Sequence, residues 1–272
     1  MVVRTARYLT LAGGSLAALV AHMTVVQPLR LRVHHVPLAV QGWPAELDGL
    51  RVAVVGDVHV GSPWFPPARV RQVVQRVVAA APDLVVMMGD HVADVSWGTV
   101  HDAATVADAL SGLAALPVVG VLGNHDWDAG GEEIRAALEA VGLPVLEESA
   151  MPLLDGRLWV AGVGDLWRRK PSPAKALAGV PADAPVILLT HNPDVVLQVP
   201  PSVPLVLAGH THGGQVRIRN KVLHTISKKH GNRWSHGWYP DERLFVTAGL
   251  GTSKWPIRNV VPEVPVLVLR PA

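Results

Sequence analysis

The chain of 272 residues contains no cysteine. Disulfides, thiolate-bound zinc and a cysteine nucleophile are therefore excluded, and the redox compartment is left open. Phenylalanine and tyrosine are almost absent, two of each, against nine tryptophans. Charge is missing locally: no Lys, Arg, Asp or Glu lies between Tyr8 and Leu29. Over the whole chain the formal charge is only +2. The Lys and Arg are scattered, without the basic stripe that neutralises a phosphate backbone, so no nucleic-acid partner is expected. Internal repeats are lacking, as is any linker long enough to divide the part that folds; the longest irregular stretch is 220–243.

The uncharged stretch contains an apolar run at 9–21, preceded by Arg4 and Arg7. Its length is about what a bilayer-spanning helix requires, and no polar face recurs at helical period. Residues 1–35 read as a membrane anchor or signal segment, and 36–272 as the catalytic domain. Leu19 occupies the position two before Ala21, where a cleavage site needs a small residue. An uncleaved single-pass anchor in the cell membrane is therefore expected, with secretion after cleavage as the alternative. Arg30 and Arg32 balance Arg4 and Arg7, so the positive-inside rule gives no orientation.

About half the residues are apolar, enough for a large core. Short β-branched runs at 51–55, 84–88 and 118–122 alternate with helical patterns at 68–80, 100–116 and 132–141. That rhythm predicts a largely parallel sheet. The second half reads differently, as strands at 158–163, 186–190, 205–208, 216–218, 244–247 and 264–269 with one clear helix after Pro173. A second, mixed sheet packed on the first accommodates them. The expected fold class is α/β, two packed mixed β-sheets flanked by helices.

The chemistry collects at the strand ends. The runs end in Gly56-Asp57-Val58-His59, Gly89-Asp90, Gly123-Asn124-His125-Asp126, His191-Asn192-Pro193-Asp194 and Gly209-His210-Thr211-His212. In open α/β sheets ligands gather at the carboxyl ends of strands, so five loops should meet at one edge. An Asp or Asn after any single strand is ordinarily a helix cap or an Asx turn. Five such loops offering only carboxylates, imidazoles and one amide make the ligand mixture of manganese, iron or zinc.

This ordered set resembles the calcineurin-like metallophosphoesterase superfamily, from about Arg51 to the carboxyl terminus. The leader, the Gly-His-Thr-His-Gly-Gly-Gln form at 209–215, and the late Gly249-Leu250-Gly251-Thr252 with Pro256-Ile257-Arg258 are similar to its membrane-associated bacterial phosphodiesterase branch. The resemblance implies a four-layer α-β-β-α sandwich and two divalent metal ions, Mn, Fe or Zn. It implies a first metal held by Asp57, His59 and His212, a second by Asn124, His191 and His210, and Asp90 as the bridge. Two cations facing two carboxylates leave an electropositive centre for a phosphate oxyanion. Ions about 3.5–4 Å apart can activate a bridging hydroxide and clamp both reacting oxygens. His125 would assist by protonating the leaving alkoxide or by stabilising the charge on phosphorus. Asp126 would either orient His125 or cap the helix starting near Glu132. One departure is visible: related sequences place an Asp three residues after the Asp of the second block, whereas Asp94 here comes four after Asp90, so no role is assigned to Asp94, and His91 reads as structural.

The expected activity is hydrolysis of a phosphoester, a phosphodiester or pyrophosphate, with a non-catalytic metal-binding scaffold of the same fold as the alternative. Trp64, Trp97, Trp127, Trp234, Trp238 and Trp255 fall in predicted loops. They suit either an aromatic rim for a lipid-linked or envelope substrate or ordinary packing over the core. Arg258 is a candidate phosphate contact, or else half of an ion pair. The glycines of 209–214 would let backbone pass close to bound phosphate. The sequence does not indicate an oligomeric state.

Overall fold

The computed structural model describes residues 15, 17–93, 97–219, 221–223, 227, 229–253 and 255–272. Strands, in chain order, are β1 (Arg32–Val40), β2 (Arg51–Val55), β3 (Leu84–Met87), β4 (Val118–Gly120), β5 (Ser149–Leu153), β6 (Leu158–Gly162), β7 (Val186–Thr190), β8 (Leu205–Ala208), β9 (Arg217–Ile218), β10 (Lys221–Val222), β11 (Gly237–Tyr239), β12 (Leu244–Val246) and β13 (Glu263–Pro271). The helices used below are α1 (Pro67–Ala79), α2 (Ala103–Leu110), α3 (Asn124–Asp128), α4 (Gly131–Ala140) and α5 (Pro173–Leu177).

Two sheets carry the fold. The first has the order β1-β13-β2-β3-β4, and the second β11-β12-β8-β7-β6-β5. Both are mixed: β2, β3 and β4 run parallel while β13 opposes β2, and β12, β8, β7 and β6 run parallel between antiparallel edges. Alternation sorts the side chains. Val52 and Val54 of β2 join Val160, Ile187 and Leu207 of the second sheet in the core between the sheets. Ala53 and Val55 turn the other way, toward Val70 and Val77 of α1 and Leu110 of α2. A third core lies outside the second sheet, where Leu188 and Val206 meet Ala176 of α5 and Trp234. Helices, sheet, sheet and a thinner cover of short helices and loops make the expected four layers.

Three features depart from expectation. Strand β1 begins at Arg32, inside the stretch assigned to the leader, and pairs in parallel with β13 along its whole length. Residues 32–35 therefore belong to the sheet. Half-exposed and polar at His34 and His35, β1 lacks the apolar run by which a buried strand is read. Helix α3 occupies residues expected as loop, and the helical pattern at 100–116 is α2 followed by a 3-10 turn, Ser111–Ala115. Among the described residues no helix is long and apolar enough to cross a membrane. Residues 1–14 and 16, which include more than half of the apolar run at 9–21, and Asp94 lie outside the described residues.

Candidate metal centre

Because β2, β3, β4, β7 and β8 share one direction within their sheets, their carboxyl ends open on one edge. Asp57, His59, Asp90, Asn124, His191 and His212 are all buried there, and His210 is nearly so. Sharp backbone turns deliver them. Asp57, His59, Asp90, His210 and His212 all adopt positive φ, between 47° and 71°. Left-handed backbone in five non-glycine residues is strain held in place by the surrounding structure, of the kind that accumulates at functional sites. His210 and His212 therefore do not lie on an extended strand with rings on one side.

Ligand atoms fall into two groups that could each hold an ion: Asp57, His59 and His212, and Asp90, His191 and His210. Within the first, His59 Nε2 is 3.2 Å from His212 Nε2, and His212 Nε2 is 3.6 Å from Asp57 Oδ1. Within the second, His191 Nε2 is 3.1 Å from His210 Nδ1 and 3.2 Å from Asp90 Oδ2. That same Asp90 oxygen is 3.7 Å from His59 Nε2, so it faces both groups. The two histidines of the fifth block thus part company, one to each group.

The donor set fits metal ions. His59, His191 and His212 donate Nδ1–H to the carbonyls of Val92, Met88 and Gly251, at 3.1, 2.7 and 3.2 Å. These bonds commit each Nδ1 to its carbonyl and turn each Nε2 inward, which is the usual second contact of a ligating imidazole. Asn124 is buried, and its Oδ1 has no hydrogen-bond partner among the described residues. A buried acceptor without a donor is costly unless a ligand satisfies it.

Electrostatics point the same way. Burial pushes His59 down to about 4, and burial with the nearby charge of His191 pushes His210 down to about 3. Burial, then His59, holds His212 well below the ordinary range. All three are neutral, ligand-competent imidazoles at neutral pH. Burial pushes the Asp57 carboxyl up to about 7 against the opposing field of His191. His191 resists burial because Asp90 lies against it, and is held up at about 10; in return Asp90 stays well below the usual carboxylate range although burial opposes its charge.

Small residues make the room. A Cβ on Gly123 would stand 2.1 Å from Asp90 Oδ1, and one on Gly249 2.6 Å from the Asp57 Cβ. In the fifth block Gly209 backs onto Asp57 Oδ2, Gly213 onto Val260 and Gly214 onto Val222. These glycines pack against protein atoms, a ligand carboxylate included, rather than clearing a path for bound phosphate.

The remaining expected residues separate. His125 sits in the first turn of α3 with its side chain 16% exposed and its Nε2 4.0 Å from Asp90 Oδ2; its backbone N–H donates to Asp90 Oδ1 at 2.9 Å. Asp126 is fully buried, and its carboxylate accepts the N–H groups of His91, Val92 and Gly123 at 2.8–2.9 Å. It ties the second block to the third and caps its own helix, not the one that begins at Gly131. Arg258 corrects the sequence reading. Its guanidinium is fully buried and donates to the carbonyls of Ala248, Leu250, Gly251 and Val260 at 2.6–3.1 Å, so it is turned away from any phosphate and, among the described residues, forms no ion pair. Burial lowers it to about 10. His91 is buried and stands in neither ligand group.

Sequence reasoning missed the loop after β6. Asp165 is fully buried, with Oδ2 accepting the N–H groups of Trp167 and Arg168 at 2.7 and 2.9 Å. Trp167 stands edge-on to His210 with ring centroids 4.4 Å apart, and Arg168 pairs with Asp128 of α3. The signal existed: Gly164-Asp165 repeats the endings Gly56-Asp57 and Gly89-Asp90.

Of the loop tryptophans, Trp64, Trp127 and Trp238 pack on the cores and Trp234 is buried within one. Only Trp97 and Trp255 of the expected six, joined by Trp167, are largely exposed.

A two-sheet sandwich with paired carboxylate and imidazole groups at its strand ends defines a metal-dependent phosphoesterase. Residues 50–214 match the family model described as Calcineurin-like phosphoesterase, and the chain belongs to that family. It is 30% identical over 232 residues to the phosphodiesterase YaeI of Escherichia coli, covering 80% of this chain and 82% of that protein. It is 28% identical over 236 residues to the uncharacterized metallophosphoesterase YkuE of Bacillus subtilis, covering 84% and 81%. Among solved structures, the calcineurin-like phosphoesterase YfkN of Bacillus subtilis is matched at 13% identity with a TM-score of 0.42, over 79% of this chain and 80% of that one.

Proposed function

We propose that the chain is a phosphodiesterase with a binuclear centre, acting at a membrane on a lipid-linked or envelope phosphoester. The observation that carries this reading is the position of Asp90 Oδ2, 3.7 Å from His59 Nε2 in one ligand group and 3.2 Å from His191 Nε2 in the other. A carboxylate shared in this way suits a bridge. Asp57, His59 and His212 would hold one ion, and Asn124, His191 and His210 the other. Two bound cations, manganese, iron or zinc, would supply charge for the phosphoryl oxygens and acidity to a water.

The chain's own residues do the rest. His125 borders the ligand groups without belonging to either, and its partly exposed ring can reach a substrate oxygen. It would give its proton to the departing alkoxide, a step ordinarily worth about 10²–10⁴ in rate. The backbone bond from His125 to Asp90 keeps that ring at the centre. Asp126, through His91, Val92 and Gly123, fixes the distance between the loops that present Asp90 and Asn124. Trp167 borders the His210 side, where its ring can meet a substrate group, and Arg168 ties the same loop to Asp128 of α3. The similarity to a protein named as a phosphodiesterase supports the diester reading, and the uncharged stretch from Tyr8 to Leu29 supports the membrane reading.

Metal analysis of the purified chain together with hydrolysis of a bis-aryl phosphodiester and an aryl phosphomonoester tests the proposal. Two divalent ions per chain and faster diester cleavage are expected. A metal-loaded protein that cleaves neither substrate would favour the scaffold alternative.

A further inference from the structure

Large exposed apolar side chains are distributed unevenly. Of twelve among the described residues, eight lie on three short segments: the amino-terminal helical stretch, β9 with the turn after β10, and Trp255. The first contributes Leu19, Val20, Val25, Val26 and Leu29, the second Ile218 and Leu223, each between 42% and 60% exposed.

Hydrogen bonds join these segments into one surface. Arg258 N–H donates to the carbonyl of Met23 at 3.0 Å, and Gln27 Nε2 to that of Asn259 at 2.8 Å. Asn259 in turn exchanges two bonds with the backbone of Arg217, at 2.9 and 2.6 Å. Gln215 donates to the carbonyls of Ser253 and Trp255. Gln215 is also the residue that ends the turn begun by His212, so the apolar surface abuts the metal centre. On the far rim Trp97 and Val100 are exposed beside Gly61, whose carbonyl accepts Thr99 N–H, and Trp167 is exposed beside His210.

Charge on the same segments has one sign. No Asp or Glu occurs in residues 1–45, 195–240 or 243–262, whereas Arg30, Arg217, Arg219, Lys221, Lys229 and Lys254 do. Apolar side chains, tryptophan and an excess of cationic residues are the combination that binds an anionic bilayer surface. A contiguous exposed apolar patch on a folded domain marks an interaction site, and this one continues into the uncharged stretch that reaches back to Tyr8.

We propose that the edge bearing the metal centre is itself a docking face for an anionic phospholipid bilayer, with Ile218, Leu223 and Trp255 entering the interface beside the amino-terminal segment. The anchor then does more than tether: the domain lies with its substrate opening against the lipid. This rests on the membrane part of the proposed function and not on its hydrolytic part.

The absence of cysteine makes the test direct, because a single introduced thiol takes an environment-sensitive fluorophore at one known position. Leu223→Cys and Trp255→Cys are labelled in the full chain, with Arg76→Cys at the last turn of α1, which leads to the opposite sheet edge, as control. Vesicles of phosphatidylcholine with about a quarter phosphatidylglycerol are added. A blue shift at 223 and 255 with none at 76 is expected. Arg219→Glu with Lys221→Glu should diminish the blue shift at 223 and 255 at low salt, even where the amino-terminal segment keeps the chain on the vesicle. Vesicle binding with both probes still aqueous would show that only the amino-terminal segment touches lipid and overturn the proposal. No vesicle binding would overturn it as well. A shift that grows with protein concentration without lipid would assign the face to a second copy of the chain instead. Cleavage of a soluble aryl diester by the same labelled variants reports separately on folding and on the hydrolytic reading.

Discussion

Arg258 and His212 share an acceptor: the carbonyl of Gly251 receives Arg258 Nη1 at 2.6 Å and His212 Nδ1 at 3.2 Å. The same guanidinium holds Ala248 and Leu250, which bracket Gly249, and Gly249 backs onto the Asp57 side chain. A buried cation that belongs to neither ligand group thus sets the position of two ligands. Arg258→Met should lower stability by about 3 kcal/mol or more, because several buried carbonyls lose a charged donor. For a domain of this size that is a fall in Tm of about 10 °C. Arg258→Lys should rescue little, since an ammonium cannot span four acceptors. Thermal unfolding and metal content check this; an unchanged Tm with a raised KM would restore Arg258 to substrate binding.

His125→Ala should leave the metal content of the protein unchanged and reduce kcat by about 10²–10⁴. The loss should be smaller for a substrate whose leaving group is acidic, such as a nitrophenol, because such a group departs without a proton. Comparison of aryl and alkyl diesters reads the difference. Loss of metal in the variant would make His125 a ligand.

Gly123→Ala adds one methyl group, yet its Cβ would collide with Asp90 Oδ1 and the Asp90 N–H. It should abolish activity and impair metal uptake as severely as Asp90→Asn. Gly156→Ala, with nothing within 4 Å of its Cβ but a φ of +83°, should cost about 1 kcal/mol of stability and leave turnover intact. Metal analysis of the two variants side by side separates an effect on the centre from a general backbone effect.

The metal-free protein should lose stability on acidification. His59 and His210 are pushed down by burial to about 4 and about 3, below the value of about 6.5 expected in the unfolded chain. Between those values the unfolded chain binds more protons, so this contribution is present above about 6.5 and is lost as pH falls through the folded values. His191, held up at about 10 by Asp90 against burial, behaves oppositely: its contribution is present below about 6.5 and fades as pH rises through about 10. Thermal unfolding in chelator should therefore show Tm falling between about pH 7 and pH 4. A flat profile would mean that these imidazoles are solvated. Calorimetry of metal binding at neutral pH, in buffers of different ionisation enthalpy, should show proton release, because His191 must deprotonate to ligate.

Much of the centre was readable before the fold was known. Asp57, His59, Asp90, Asn124, His191, His210 and His212 each follow a run of buried apolar residues, and strand ends are where an α/β sheet presents ligands. Other parts were not. Strand β1 pairs along its full length, yet its sequence Arg-Val-His-His-Val lacks the pattern by which buried strands are recognised, because one of its sides faces solvent. Arg258 looked like an anion contact because nothing local distinguishes a guanidinium that meets phosphate from one that meets carbonyls. Asp126 looked like a cap or an orienting carboxylate, but its backbone partners include residues 35 and 34 positions away.

Residue types and their order along the chain, then, determined the family, the two-sheet class and the ligand chemistry, since these depend on periodicity and on short spacings. Tertiary structure alone decided the rest. Where Arg258 spends its charge, which backbone groups Asp126 ties together and which tryptophans reach solvent depend on contacts between segments far apart in sequence. Positive φ at five ligand residues is likewise enforced by packing against the intrinsic preference of those residues. The exposed apolar face beside the centre exists because Met23, Arg217, Trp255 and Asn259, scattered over more than 230 positions, are hydrogen-bonded into one surface.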